Sequence, residues 1–540
     1  MNRKKLIVFL ICSGAFVSCV LTINLLPTGI TKSLNNCTLT SDGVKIYYDL
    51  FIPKDDTSTN KTGIILGHGI MVNKQFLRTI AMDLANHGFV VAALDFRGHG
   101  RSGGGLGTGN ITTDIIAIKN VLSLRGDINM SNLGYLGYSM GGGAGFQLLT
   151  SDSDFRAMVS LASSGSSPYN PPNLLILHGK IDEVVNYQDV LQYIENRTGI
   201  SAENVQPGMI YGSITDGNAT KLILSNTDHL FAPYSLNNIL ETRIWFLQTL
   251  KNVNNPPTEM MNYGLLLVFV LLATSTGISA FILVAAFFVK KLSIQKSENE
   301  EALAILEKIS QKDLRKQVIK SYWYIVVPLS IPGVLFGAFS FVLPIYFMSL
   351  IVILLSGNAA ASFFYLWYLL KKKHNVKFGR FLGYIFRKSS IRNVIIGIGL
   401  GLILYAVLGL SIGYIFGIVP GVNKWGWAAF YWIFMFLIVF SNTLFFRTIY
   451  GDPNKTFSGK FKELGLVTAM SFIPITIIVL ISVAIFRSLF NIQFLIPMFP
   501  LILLINAIAI KLYNVSRDIV LSSLLNSVML TIFAISLSFL

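Results

Sequence analysis

The most evident chemistry in this chain lies in the pentapeptide GYSMG, Gly137 to Gly141. Here an apolar strand runs into a glycine-opened helix, and a serine on so tight a bend projects its hydroxyl away from the backbone, while the glycines remove side chains that would collide. Ser139 is the candidate nucleophile. A serine hydroxyl needs a base to take its proton, and that base needs a carboxylate to hold its tautomer and stabilise the imidazolium. Of the six histidines, His68 and His178 stand in strand-end HG turns, His87 in a helix-ending HG turn and His99 in a glycine loop, where they shape backbone. His374 sits in a basic block between apolar runs. His229, in SNTDHLF after the last strand, is the candidate base. Asp182, in LLILHGKIDEVV, leaves a strand end between nucleophile and base and is the candidate carboxylate; Glu183 is the alternate, and Asp228 adjoins His229 too closely to orient its ring. An oxyanion site needs two backbone N–H groups aimed at the developing charge. Met140, just after the nucleophile, offers one and the loop GHGIM offers the other, from Ile70. This chemistry calls for no cofactor and no metal.

The elements that must position these residues read as an α/β domain. TSDGVKIYYDLFIP is strand, turn and strand, with Asp42 and Gly43 in the turn. GIILGHG and FVVAALD are continuous apolar runs ending in Gly or Asp, as buried parallel strands do. A helical pattern near residues 74–87 joins them. NLGYLGYS, residues 157–162, LLILHG and KLILSNT add four strands, and residues 234–250 read as a closing helix.

Taken together, the GHG loop after the third strand, DFRGHGRSG (Asp95 to Gly103) after the fourth, GYSMG, HGKIDEVV and the DH pair before the last helix resemble the α/β-hydrolase superfamily over about residues 40–250. The likeness is strongest to serine esterases of the dienelactone-hydrolase-like or serine-aminopeptidase-like kind. Dienelactone hydrolases use Cys, so Ser139 points to ester, thioester or peptide substrates. The resemblance implies a mostly parallel sheet with helices on both faces. Asp95 and Arg97 read as turn structure. Lipases and many aminopeptidases insert a helical lid between strands six and seven, where this chain has only SSGSSPYNPP, so the expected site is open. The insertion at residues 196–219 is a candidate side wall.

The rest of the chain belongs to a different solvent. Of 540 residues, 53% are hydrophobic and 13% charged, with mean hydropathy +0.60, values foreign to an ordinary soluble protein. Nine runs are long and apolar enough to span a bilayer: residues 6–26, then about 263–289, 322–343, 345–370, 394–418, 428–446, 464–486, 494–510 and 519–539. The first follows NRKK and reads as a signal anchor; a cleaved leader with FVSC as its box is the competing reading. Threading nine spans with the N-terminus inside gives 25 basic residues on the cytoplasmic side and two, Lys424 and Arg487, in the outer loops of the membrane half, as basic loops resist translocation. Residues 1–26 are thus a signal-anchor helix, 27–258 an extracytoplasmic hydrolase-like domain, and 259–540 an all-α polytopic membrane domain of about eight helices. A cytoplasmic amphipathic helix is expected near 291–320, opened by a Ser297/Glu300 capping box. The exported part holds 16 basic and 18 acidic side chains, which removes the electrostatic basis for nucleic-acid binding. Six Asn-x-Ser/Thr triplets there are compatible with an outside location. Three cysteines, two of them in the first run, offer no disulfide framework. Gly397, Gly401, Gly409, Gly413 and Gly417 recur at four-residue offsets, a close-packing stripe.

The expected function is a multi-pass membrane serine hydrolase that faces the outside of the cell membrane and cleaves an ester, thioester or amide through an acyl-enzyme. Its expected partners are the lipid bilayer and a small-molecule, lipid or peptide substrate. The alternatives are a transporter or receptor whose hydrolase-like domain only binds ligand, and an acyltransferase to a membrane acceptor.

Overall fold

The structure is a computed structural model that describes residues 2–54, 57–166, 168–260, 263–293, 319–330, 345–446, 456–486, 492 and 495–540. The chain divides into two compact units. One takes in residues 19–271, 412–423 and 536–540; the other takes in 1–18, 272–411 and 424–535. The expected boundaries at 26 and 258 fall inside the first unit. That unit also gathers two short segments from far along the chain.

The first unit is built on a nine-stranded sheet. Its strands are β1 (Ile30–Leu39), β2 (Lys45–Pro53), β3 (Gly63–Gly67), β4 (Val90–Leu94), β5 (Leu133–Tyr138), β6 (Phe155–Leu161), β7 (Leu174–Gly179), β8 (Ile210–Tyr211) and β9 (Thr220–Ser225). Their spatial order is β1-β2-β4-β3-β5-β6-β7-β9-β8. The strands from β4 to β9 in that order run parallel, while β1, β2 and β8 pair antiparallel at the two edges. The central strands are apolar throughout because both faces are covered. Alternate residues serve opposite layers: Ile64, Val91 and Leu175 join one core, packed with Ile80, Leu84, Trp245 and Phe246 of the helices α2 (Arg78–Asn86) and α6 (Leu236–Lys251). Ile65, Val90 and Leu174 join the other, packed with Ile118, Phe146 and Ile194 of α3 (Thr112–Ser123), α4 (Met140–Leu149) and α5 (Tyr187–Thr198). From β3 the chain turns one way to β4, and from β5 it turns the other way to β6. This reversal is a topological switch point, where open sheets of this kind leave a crevice for ligands.

Every strand expected from the sequence is present. The insertion at 196–219 contributes β8, an edge strand of two residues that no pattern announced. Arg97 and Asp95, read as turn structure, are that. Arg97 donates from Nε and Nη2 to Asp114 at 2.9 and 2.8 Å and from Nη1 to Asp42 at 2.7 Å, tying the loop after β4 to α3 and to the β1–β2 turn. Asp95 accepts from the buried Lys74 ammonium at 2.8 Å.

In the second unit and its flanks, eight helices among the described residues are long and apolar enough to cross a membrane, beginning with α1, Arg3–Leu25. This composition is compatible with a multi-pass membrane protein. The apolar run at 322–343 lies mostly outside the described residues, as do the amphipathic helix expected near 291–320, apart from residues 291–293 and 319–320, and the basic residue at 487. The run expected at 394–418 instead ends as a helix at Leu410. Gly397 and Gly401 lie against the backbone of Leu521 and Leu525, Gly409 faces open space, and Gly413 and Gly417 lie beyond the helix, so the packing stripe is only its first half. Inside the basic block, Phe378–Lys388 forms a further helix whose Phe381 and Ile385 are buried.

The Arg97 network yields a stability prediction. The side chains of Arg97 and Asp114 are both fully buried, whereas that of Asp42 is 41% exposed. Removing one partner of a buried pair strands the other charge. Asp114→Ala should therefore cost about 3 kcal/mol, and Asp42→Ala less than half as much, read as melting temperatures of the detergent-purified full chain.

Candidate active site

Strand β5 delivers Ser139 at its carboxyl end, beside the switch point. The residue takes φ 51° and ψ −115°, a backbone that side-chain-bearing residues adopt only under constraint. The surroundings supply that constraint. Ser139 N–H donates to Leu161 of β6 at 2.9 Å, and Gly141 N–H donates to the His68 carbonyl beyond β3 at 3.1 Å. A side chain at Gly137 would strike the Gly141 backbone, and one at Gly141 would strike that of Gly67. The flanking glycines are therefore required by backbone approach on two sides.

Asp182 follows β7 and His229 follows β9, and the structure brings both to Ser139. His229 Nε2 lies 3.0 Å from Ser139 Oγ, and its Nδ1 lies 3.0 and 3.1 Å from the two oxygens of Asp182. The imidazole side chain is 4% exposed and the Asp182 side chain is fully buried. With a carboxylate at Nδ1, the proton belongs on Nδ1, leaving Nε2 to accept from the serine hydroxyl. Burial works against the Asp182 charge, but the hydrogen bond and charge of His229 and the N–H groups of Val185 and Val184, at 2.8 and 2.9 Å, hold its carboxyl below the usual range.

The alternates go elsewhere. Glu183 accepts from the His229 main-chain N–H at 3.2 Å, and Asp228 accepts from Phe231 N–H at 2.7 Å. The other histidines of this unit hold backbone or pack. His68 lies between Phe96 N–H, at 3.0 Å from Nε2, and the Gly69 carbonyl, at 2.6 Å from Nδ1; His87 Nδ1 reaches the Asp83 carbonyl, His99 Nδ1 the Arg97 carbonyl, and His178 stacks on Tyr187.

Sequence reasoning missed Tyr138. Its hydroxyl donates to the His229 carbonyl at 3.0 Å and its ring lies 5.5 Å from the imidazole, so the residue before Ser139 also seats His229. Burial, with Asp182, Glu183 and Asp228 nearby, pushes its phenol well up and keeps it protonated as a donor. The available signal was an aromatic residue bearing a polar tip in an otherwise apolar strand end. Met140 opens α4, where the first N–H groups lack intrahelical partners. Ile70 is half-buried in the loop after β3, and its neighbour Gly69 is pressed against Ser139: a side chain at Gly69 would meet Ser139 Cβ at 3.0 Å.

A parallel sheet reversing direction at β3 and β5, with an elbow serine at that reversal and a histidine and an aspartate after the later strands, is a specific architecture. The family described as Serine aminopeptidase, S33, matches residues 58–172, the stretch from before β3 to the eve of β7 that contains Ser139. This domain has the α/β-hydrolase fold. A curated relative described as a non-heme haloperoxidase, from Mycobacterium phage D29, is 29% identical over 123 residues, 22% of this chain. The match spans less than half, 43%, of that relative's length. Among solved structures, an esterase of Pyrococcus furiosus is similar at 18% identity, covering 41% of this chain and 92% of its own, with TM-score 0.33. A hypothetical protein of Pseudomonas aeruginosa is similar at 16% identity, covering 42% and 95%, with TM-score 0.32.

The buried carboxylate of this α/β-hydrolase-fold domain makes a pH prediction. Because the Asp182 carboxyl is lowered in the folded chain, its contribution to stability is complete above its unfolded pKa, about 4, and is lost as pH falls through the lower folded value. The stability difference between wild type and Asp182→Asn should therefore be constant from pH 5 to 7 and shrink below about pH 4. Thermal unfolding across that range measures it.

Proposed function

We propose that this chain is a membrane-anchored serine hydrolase in which Ser139, His229 and Asp182 cleave an ester, thioester or amide through an acyl-enzyme. The observation that carries the reading is the imidazole of His229 placed 3.0 Å from both the Ser139 hydroxyl and the Asp182 carboxylate. His229 Nε2 takes the Ser139 proton as Oγ attacks the substrate carbonyl carbon. The oxygen of the resulting tetrahedral centre carries the negative charge, and the N–H groups of Met140 and Ile70 are the proposed donors to it. His229 then gives its proton to the leaving group as that bond breaks. Water repeats the sequence on the acyl-serine, returning Ser139 and releasing the acid. Asp182 stays ionised throughout and balances the transient imidazolium. Only twelve residues separate Leu161 of β6 from Leu174 of β7, so no helical cap is inserted at that crossover to enclose a long substrate.

The same reading places the domain outside the membrane. The charge distribution supports this. Among the described residues, four apolar helices lie between about residues 423 and 536, an even number that agrees with residues 536–540 lying on the same side as residues 412–423, whichever side that is. The nine-span threading also puts four spans between residues 258 and 412.

A fluorophosphonate probe tests the nucleophile directly. Wild type should be labelled and Ser139→Ala should not; equal labelling of both would sink the assignment. Asp182→Asn should fold yet lose about 10³- to 10⁴-fold in kcat, because its amide favours the wrong imidazole tautomer.

A further inference from the structure

The first unit contains two segments that the sequence assigns to the membrane half; residues 412–423 meet the loop Gly67–Asn73 directly, and residues 536–540 meet it through His99. At one end of this loop, the buried Asn73 side chain donates from Nδ2 to the carbonyls of Phe416 and Gly417, at 2.7 and 2.9 Å. Gly417 takes φ 58°, and a side chain there would collide with Asn73 and Gln75. One turn further, Arg78 donates to the Tyr414 carbonyl at 3.1 Å and lies over the Tyr414 ring at 4.6 Å. Phe416 packs on Phe76, 5.9 Å between ring centres, and Phe76 packs on Tyr138.

At the other end of the loop stands His68, whose ring bonds the Gly69 carbonyl. His68 packs edge-on against His99 at 5.1 Å, and His99 stacks on Phe539 at 5.2 Å with the planes 20° apart. Leu540 fixes that segment: its N–H donates to the Gly98 carbonyl at 3.1 Å, and its carbonyl accepts from Leu106 N–H at 2.6 Å. Between these two anchorages lies Ile70, next to Met71 at φ 62°.

We propose that residues 412–423 and 536–540 are positioning elements of the acyl-transfer site, clamping the loop Gly67–Asn73 at both ends so that the Ile70 N–H meets the oxyanion formed on Ser139. The proposal rests on the assignment of Ser139 as nucleophile. Neither segment touches substrate in this account. Each acts through the loop, so weakening a clamp reduces stabilisation of the transition state while leaving ground-state binding intact.

The test uses the full chain in detergent or nanodiscs, turning over a small activated ester. Phe539→Ala should lower kcat about tenfold with KM within twofold, and Phe539→Tyr, which keeps a ring on His99, should restore it. Asn73→Ala, which leaves residues 536–540 intact, should reproduce the kcat loss from the other end. Amides of residues 69–72 should exchange slowly in wild type; rapid exchange there would overturn the clamp with no substitution made. Wild-type kcat in both Phe539→Ala and Asn73→Ala, or a rise in KM alone, also overturns it. If Ser139→Ala is inactive while both clamp variants run at full rate, the clamp fails and the nucleophile stands. If Ser139→Ala keeps turning over, the nucleophile fails first.

Discussion

The arrangement depends on one strained residue. Ser139 sits at φ 51°, a conformation that costs a side-chain-bearing residue about 1–3 kcal/mol and persists only when its surroundings enforce it. Here the enforcement comes from two neighbouring strands at once: β6 accepts the Ser139 N–H, and the loop leaving β3 accepts the Gly141 N–H. Both partners exist because β5 lies between β3 and β6 in a parallel register. The chemistry is therefore a consequence of sheet order. A slip of one residue at either strand would turn the inward faces outward and release the bend on which the hydroxyl stands.

Much of this was legible in the sequence, for a physical reason. Strands buried on both faces have no polar side to show, so GIILG, VVAAL and LLILHG stand out as unbroken apolar runs. The elbow announces itself because close backbone approach on two sides leaves glycine as the fitting residue at 137 and 141. Asp182 and His229 were found from position, each at the carboxyl end of a later strand, and the structure brings both to Ser139. The other histidines were read as backbone-shaping, and four of them bond main-chain groups or stack as that reading implies.

What stayed hidden depends on contacts that leave no local pattern. Tyr138 seats the His229 carbonyl across 91 positions of sequence. The two-residue strand β8 exists only because β9 is there to pair with it. Residues 412–418 are apolar and continue a helical run in composition, yet the helix stops at Leu410 and the chain turns to meet Asn73 and Arg78, more than 330 positions earlier. Gly413 and Gly417 look like a packing stripe by spacing. Gly417 is instead the left-handed turn that lets two carbonyls face one amide. Periodicity reports what an element does along its own axis, and it carries no information about a partner that distant.

These long-range contacts bear on how the loop Gly67–Asn73 is kept in order. Residues 67–73 include two glycines and a left-handed Met71, so fixing them costs about 1–2 kcal/mol of backbone entropy per residue, with the strain at Met71 added. Within the α/β domain itself, the His68 ring bonds the Gly69 carbonyl of this loop. A net hydrogen bond contributes about 1 kcal/mol, too little alone to hold seven residues. Asn73 on the 416–417 carbonyls and the Phe539 ring behind His99 and His68 supply the missing constraint at the two ends. A lid would order such a loop by covering it. This chain instead bonds it at its ends through residues 412–423 and 536–540, and Ser139 itself stays partly exposed.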